Sequence, residues 1–298
     1  GLSAALSLGV MLLLGVVQST LIPYEYKGYE TFVTMDLKGP TVKVSAHDSL
    51  PSLSAADRAR PRLDVIRERG SIRVGYLPDR LPYAFTNEDG DIVGFDMELV
   101  HALGSQIGVS VSVVRLSLEG VPEALSDGRI DLLIGGIVVT PQRAEQFAFS
   151  RTYVDQTLGF VVPDHERSRF ASVERMRRMP DLKLAGPLVA DAQGARQEIL
   201  PDAEFVRIDS PRPFLRGELP DVHAMAFSAE TGAAWTLVYP EYAVVVPKGL
   251  GMQIPVAFGL PPGDLSLKSF VDTWLELSMK TGYVESVFRR WILGKDEQ

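Results

Sequence analysis

The sequence predicts an α/β protein, a mostly parallel sheet with covering helices, preceded by an apolar segment. Three observations predict it. From Arg62 onward, strand-like runs alternate with helical periodicity, as expected where parallel strands are joined by crossover helices. The apolar run Ile130–Ile134 leads into Gly135-Gly136, a second apolar run and Thr140-Pro141, a buried strand feeding a helix N-terminus. Residues 1–24 carry no charged side chain, a length that suits one membrane-spanning helix of about 20 residues.

Taken in order, residues 1–24 read as a transmembrane helix. A signal peptide competes, but the basic n-region is missing and the first residue is Gly rather than Met. A buried soluble helix fits less well, because no polar face interrupts the run. The simplest expectation is a chain cut from something longer, whose last membrane helix comes first here. Glu25, Lys27 and Glu30 mix signs, so flanking charge gives no orientation. Residues 25–61, with short β-like runs at Thr31–Met35 and Thr41–Val44 around Gly39-Pro40, read as a connector followed by a polar linker.

Leu63–Arg69 reads as a short helix ended by Gly70, and Ser71–Leu77 as a strand. Asp79–Asp91 is a turn-rich loop, and Gly94–Gly108 is helical with Phe95, Leu99 and Leu103 at helical spacing. Val111–Leu116, Val121–Leu125 and Asp131–Gly136 complete a βαβ rhythm. The chain is expected to cross to a second lobe near Thr157–Val162. That lobe has candidate strands at Leu182–Ala185, Phe205–Ile208 and Val222–Phe227, and helices at Ala190–Leu200, Arg212–Leu219 and Ala229–Leu237. Tyr242–Val246 reads as the return strand, and Val256–Gly259 as another in lobe one. Leu265–Leu293 closes the chain as helices broken at Gly282. An excursion out and back of this kind makes two lobes joined by two strands, with a cleft between them.

Composition narrows the chemistry. At 298 residues the chain can hold two lobes beside a membrane segment, and 46% hydrophobic with 23% charged residues is ordinary for a folded protein. A net charge of −8 without a basic stripe argues against nucleic acid. With no cysteine, disulfides, thiolate metal sites and a Cys nucleophile are excluded. His47, His101, His165 and His223 show no metal-ligand spacing, so no metal is expected. No G-x-S-x-G, H-E-x-x-H, Walker loop or G-x-G-x-x-G occurs, and no cofactor is expected.

With Thr140 as N-cap and Pro141 at the first helical position, Arg143 sits in the first turn. A cation there opposes the helix dipole by about 0.3–1 kcal/mol. An anion shared by the guanidinium and the helix end would compensate. Equally, the side chain could curl back to Glu145 or reach water. Asp96 and Glu98 in GFDMEL read as a helix cap and a first-turn acid rather than a catalytic pair.

GGIVVTPQRAEQFAFS resembles the I-x-x-x-x-T-P-x-R-x-x-x-x-x-F-S signature of the extracytoplasmic solute-binding proteins of the amino-acid family. GSIRVGYLPDRLPYAFTNEDGDIVGFDMELVHALG and FVDTWLELSMKTGYVESVFRRWILG resemble the same family, and the three motifs keep its order across residues 62–294. The resemblance implies a type II periplasmic-binding fold, with lobe one at 62–160 and 246–298 and lobe two at 161–245. It implies that Arg143 clamps a ligand's carboxylate beside Thr140, helped by main-chain groups around Gly136 and Val138, where family members often carry Ser or Thr. Tyr83 takes the place of an aromatic that stacks on the ligand, and Leu118 that of a cleft-lining residue. Main-chain N–H groups from about Leu188 to Ala190, with Ser228 and Glu230, would meet the ligand from lobe two, Glu230 binding an amine. Arg80 stands where basic-amino-acid binders often have an aromatic. If it faces the cleft, two cations favour an acidic amino acid or a dicarboxylate; the alternative is a solvated Arg or one paired with Asp79.

The expected function is capture of a small carboxylate-bearing solute for uptake, without catalysis, by a membrane-tethered domain facing the periplasm or cell exterior. SAETGAAWTLVYPEYAVVVP and RPRLDVIRERGSIRVGY also resemble binding domains fused behind dicarboxylate/amino-acid:cation symporters, which implies a membrane transporter as partner. Two rivals share the fold: a dehydratase acting on a cyclohexadienyl amino acid or keto acid, with Glu230 as general acid, and a sensor ectodomain.

Overall fold

The computed structural model describes residues 34–186 and 199–294. In chain order its first strands are β1 (Val44–His47), β2 (Ser71–Tyr76), β3 (Phe85–Thr86), β4 (Ile92–Val93), β5 (Ser110–Arg115), β6 (Leu132–Ile134) and β7 (Ala148–Phe149). The others are β8 (Val154–Pro163), β9 (Lys183–Gly186), β10 (Glu204–Arg207), β11 (Ala224–Ser228), β12 (Tyr242–Val245), β13 (Gln253–Val256) and β14 (Gly259–Leu260). The lobe-one sheet runs β1-β5-β2-β6-β14-β7, its first four strands parallel. The lobe-two sheet runs β10-β9-β11-β8-β12.

Alternation along the strands splits the core of lobe one between the two faces of its sheet. Ile72, Val74, Val111 and Val113 share one cluster with Leu99 and Leu103 of the helix Phe95–Ile107 and with Val271, Leu275 and Trp291 of the closing helices. Val114 and Leu133 belong to a second cluster, with Leu125 of the helix Val121–Ser126. The helix Phe95–Ile107 ends at Gly108, whose left-handed backbone suits the residue. Leu265–Lys280 and Tyr283–Trp291 are separated at Gly282, also left-handed, as expected from the sequence.

The lobes are joined by β8 and β13. The first four residues of β8 pair with β13, and the rest pair with β11 and β12. The crossing therefore lies at Val154–Thr157, earlier than the expected Thr157–Val162. Tyr242–Val246, expected to return to lobe one, instead supplies β12 inside lobe two, and the return is made by β13. Both strands alternate alike, and periodicity does not name a strand's partner. Leu158, Phe160 and Leu250 accordingly pack in lobe two, so the lobe boundaries differ from 160/161 and 245/246.

The connector also differs. β1 lies within residues 25–61 yet forms the edge of the lobe-one sheet, parallel to β5. Residues 1–24, the expected transmembrane helix, lie outside the described residues. Among the described residues, no helix is long and apolar enough to cross a membrane.

Candidate functional site

The cleft wall of lobe one starts where β6 ends. Gly135 and Gly136 both have positive φ, +117° and +65°. A Cβ on Gly135 would sit 3.2 Å from the Arg80 stem, and one on Gly136 would sit 2.8 Å from the Tyr83 ring. Each glycine thus admits one side chain of the cleft, and each turns the chain as other residues rarely do.

Asp96 braces that turn. Its Oδ2 accepts from the backbone N–H groups of Gly135 (2.7 Å) and Gly136 (2.8 Å), and Tyr153 donates its hydroxyl to Oδ1 (2.7 Å). Burial pushes the Asp96 carboxyl up to about 6 against the pull of these donors. Both acids lie in the first turn of their helix, as the sequence predicts, but Asp96 is not its cap. Gly94 is the N-cap, without a side-chain cap bond, and both acids reach away from their own helix. Glu98 accepts from the Trp291 indole (2.7 Å) and pairs with Arg290.

Beyond the turn, Val139 donates to the Pro255 carbonyl (2.9 Å) and Ala257 to that of Ile137 (3.0 Å), tying the segment to β13 and its continuation. Thr140 caps the single helical turn Pro141–Ala144, its side chain accepting from the Arg143 N–H, as the sequence predicts. The Arg143 side chain is buried, not spread in water, and its Nη1 donates to the Val138 carbonyl at 3.0 Å. The guanidinium thereby lies back across the strand–turn that precedes it and lines the interlobe cavity.

That cavity measures about 40 Å³, with the lobes drawn together around it. Arg80, Tyr83, Gly136, Val138 and Arg143 line it from lobe one, and Phe227, Ser228 and Thr231 from lobe two. Tyr83 is a fully buried wall, edge-on to Phe95 with centroids 5.7 Å apart, its hydroxyl held by Gln156 Nε2. Ser228 caps the helix Ala229–Val238 and donates to Thr231 Oγ1 (2.7 Å). Arg80 also faces the cavity. Burial, and next Arg143, lower its guanidinium from the ordinary value to about 10.

Other expected residues lie elsewhere. Leu118 lines a separate hollow of about 200 Å³ with Gln142 and Arg207, which Arg143 reaches from its other side. Glu230 does not line the cavity. Both its carboxylate oxygens accept from the Thr157 N–H in the crossing strand, at 3.1 and 3.0 Å. The Gly136 N–H is engaged by Asp96 and the Val138 carbonyl by Arg143, so their main chain orders the wall before any ligand arrives. Leu188 and Ala190 lie outside the described residues. Gln156 and Thr231 line the cavity but were not singled out from the sequence. The one amide in the run VDQTLGFVV was the available signal for Gln156, which the structure buries to 3% exposure.

Outside the cavity the lobes meet through the loop after β2. Leu81 packs against the lobe-two cluster of Phe214, Phe227 and Trp235. Asp79 accepts from Arg212 Nε (2.7 Å) and from Ser210 Oγ (2.8 Å), and Arg212 lies over the Trp235 ring, 5.0 Å from its centroid.

Two α/β lobes on two crossing strands, with guanidinium groups in the cleft, define a ligand-capturing protein of the periplasmic-binding type. The chain belongs to the bacterial extracellular solute-binding proteins, family 3, which it matches over residues 72–294. It is 25% identical over 235 residues to a cyclohexadienyl dehydratase of Pseudomonas aeruginosa, covering 78% of this chain and 86% of the relative. The crystal structure of an ancestral amino acid-binding protein, a precursor of cyclohexadienyl dehydratase, superposes with a TM-score of 0.67 at 28% identity, covering 78% of this chain and 99% of that one. An amino acid ABC transporter substrate-binding protein of Streptococcus pneumoniae, bound to L-arginine, shares the fold with a TM-score of 0.68 at 21% identity, covering 78% of this chain and 98% of that one.

Proposed function

We propose that this chain captures a small carboxylate-bearing solute between its lobes and hands it on for uptake. The observation that carries this reading is Arg143, a buried guanidinium held at the cleft wall by Val138 and its own helix cap. A planar fork fixed in this way matches a carboxylate bidentately, and low local dielectric strengthens the contact. Lobe two would close on the ligand by bending at β8 and β13. Residues 1–24 would tether the domain outside the cytoplasmic membrane, beside a transporter that receives the solute.

Titration calorimetry of the full chain in detergent, against amino acids and small dicarboxylates, tests this. A hit that Arg143→Ala abolishes is the expected result; equal affinity in the variant would remove the clamp. The full chain is needed because a cut at residue 62 would delete β1 from its sheet.

The likeness to cyclohexadienyl dehydratase favours a second reading, dehydration of a cyclohexadienyl acid. Among the described residues lining the cavity there is no carboxylate or imidazole to serve as general acid, and Glu230 is held by Thr157. Membership of a family of solute-binding proteins supports capture over turnover. Saturable binding with the ligand recovered unchanged is expected; release of a dehydrated product would reverse the preference.

A further inference from the structure

We propose that Glu230 is a positioning residue of the hinge, tying a cavity-lining turn of lobe two to the crossing strand so that the two walls meet in one register. This rests on the capture reading, whose lobes move about β8 and β13, and deepens it. The pairing of β8 changes hands between Thr157, opposite Gln253 of β13, and Leu158, opposite Ser228 of β11. Leu158 gives its N–H to the Met252 carbonyl at 3.0 Å, and the N–H of Thr157 points to the other side of the strand. On that side β11 has run out, because Ser228 is its last residue and caps the helix Ala229–Val238. Glu230, in the first turn of that helix, stands in for the missing strand partner. Both its carboxylate oxygens accept from the Thr157 N–H, at 3.1 and 3.0 Å, which satisfies an amide the sheet leaves over.

The preceding residue is held from the opposite lobe. Gln156 donates its side-chain amide to the Tyr83 hydroxyl, and Tyr83 is the buried lobe-one wall of the cavity. Neighbouring residues of one strand are thus fastened to opposite walls. Ser228 and Thr231, on either side of Glu230, line the cavity from lobe two. A continuous path therefore runs from Tyr83 through Gln156, Thr157 and Glu230 to the turn that carries Ser228 and Thr231. With Gln156 fixed to one side and Thr157 to the other, rotation of the lobes falls on the link between them. Without the carboxylate, Thr157 can follow either lobe, and the walls lose their fixed relation.

The chain has no cysteine, so Ser105→Cys in lobe one and Ser168→Cys in lobe two, both exposed, provide sites for two spin labels and one interlobe distance distribution. In the full chain in detergent, without solute, Glu230→Ala should broaden that distribution. The Thr157 amide should also exchange at least about tenfold faster, as loss of a hydrogen bond to a charged group implies. Glu230→Gln, whose amide oxygen still accepts, should restore the narrow distribution. Tyr83→Phe removes the lobe-one end of the path and should broaden it as well, which keeps the test decisive if Glu230→Ala does not fold. A distribution of unchanged width in Glu230→Ala, or in Tyr83→Phe, would overturn the positioning role even if the melting temperature fell, and would leave capture by Arg143 intact. Glu230→Gln as broad as Glu230→Ala would also overturn it, assigning the effect to charge at the helix end. Absence of binding in the calorimetry above would instead remove capture, with the same distances still deciding the hinge.

Discussion

Asp96 shows how much one buried carboxyl can organise. It holds Gly135 and Gly136 through one oxygen and Tyr153 through the other, so the turn beneath Arg80 and Tyr83 depends on it. The folded protein keeps its proton up to about pH 6, against an ordinary 3.8 in the unfolded chain, so folding takes up a proton between those values. The stability that Asp96 contributes thus falls as pH rises from about 4 to about 6, and is flat above. At about 1.4 kcal/mol per pH unit the change is on the order of 3 kcal/mol. Asp96→Asn mimics the protonated carboxyl, since its amide oxygen still accepts two N–H groups. Urea unfolding at pH 4.5 and pH 7 should therefore show this slope in the wild type and lose it in the variant. A difference between the two proteins that does not vary with pH would refute the assignment.

At the scale of elements, the loop after β2 serves the cleft and the lobe contact together. Arg80 and Tyr83 face the cavity, while Asp79 and Leu81 grip lobe two. Asp79 sits at φ +57°, a left-handed conformation that Asp and Asn tolerate better than most residues. Its partner Arg212 is 40% exposed, so the ion pair itself contributes at most about 1 kcal/mol. Asp79→Asn keeps the backbone preference and an acceptor for Ser210 and removes only the charge. Release of whichever solute calorimetry identifies, followed by stopped flow, should quicken about threefold in this variant at low ionic strength, and the gap should shrink in high salt. An unchanged release rate would mean the pair does not hold the lobes together.

For the whole molecule, a ligand can favour closure only to the extent that it touches both lobes. The cavity meets that condition, with Arg80 and Arg143 on one side and Ser228 and Thr231 on the other. Hydrogen exchange of the full chain should show the solute identified by calorimetry slowing the amides of residues 77–84 and 210–216, where the lobes meet, more than those in the cores of β2 and β9. Protection spread evenly over both lobes would argue for general stabilisation instead of closure.

Much of the fold was legible because it is written in local terms. Helices Arg62–Arg69, Phe95–Ile107 and Leu265–Lys280 follow from apolar spacing and glycine stops. The Thr140 cap and the place of Arg143 follow from a four-residue pattern. What stayed hidden depends on partners far along the chain. Tyr242–Val245 and Gln253–Val256 look alike as strands, and only their pairing with opposite halves of β8 tells a lobe strand from a crossing one. β1 could not be distinguished from a connector strand until it met β5. Glu230 offered the right charge in the right stretch, but the Thr157 amide drew it out of the cleft. Asp96 is the first-turn acid the sequence suggests, but its hold on the cleft turn is invisible there because the groups it binds lie about forty residues on. Local periodicity and capping thus determined the elements and the position of Arg143. Packing alone decided which groups face the cavity, because a side chain's hydrogen bonds are settled by what the fold brings beside it.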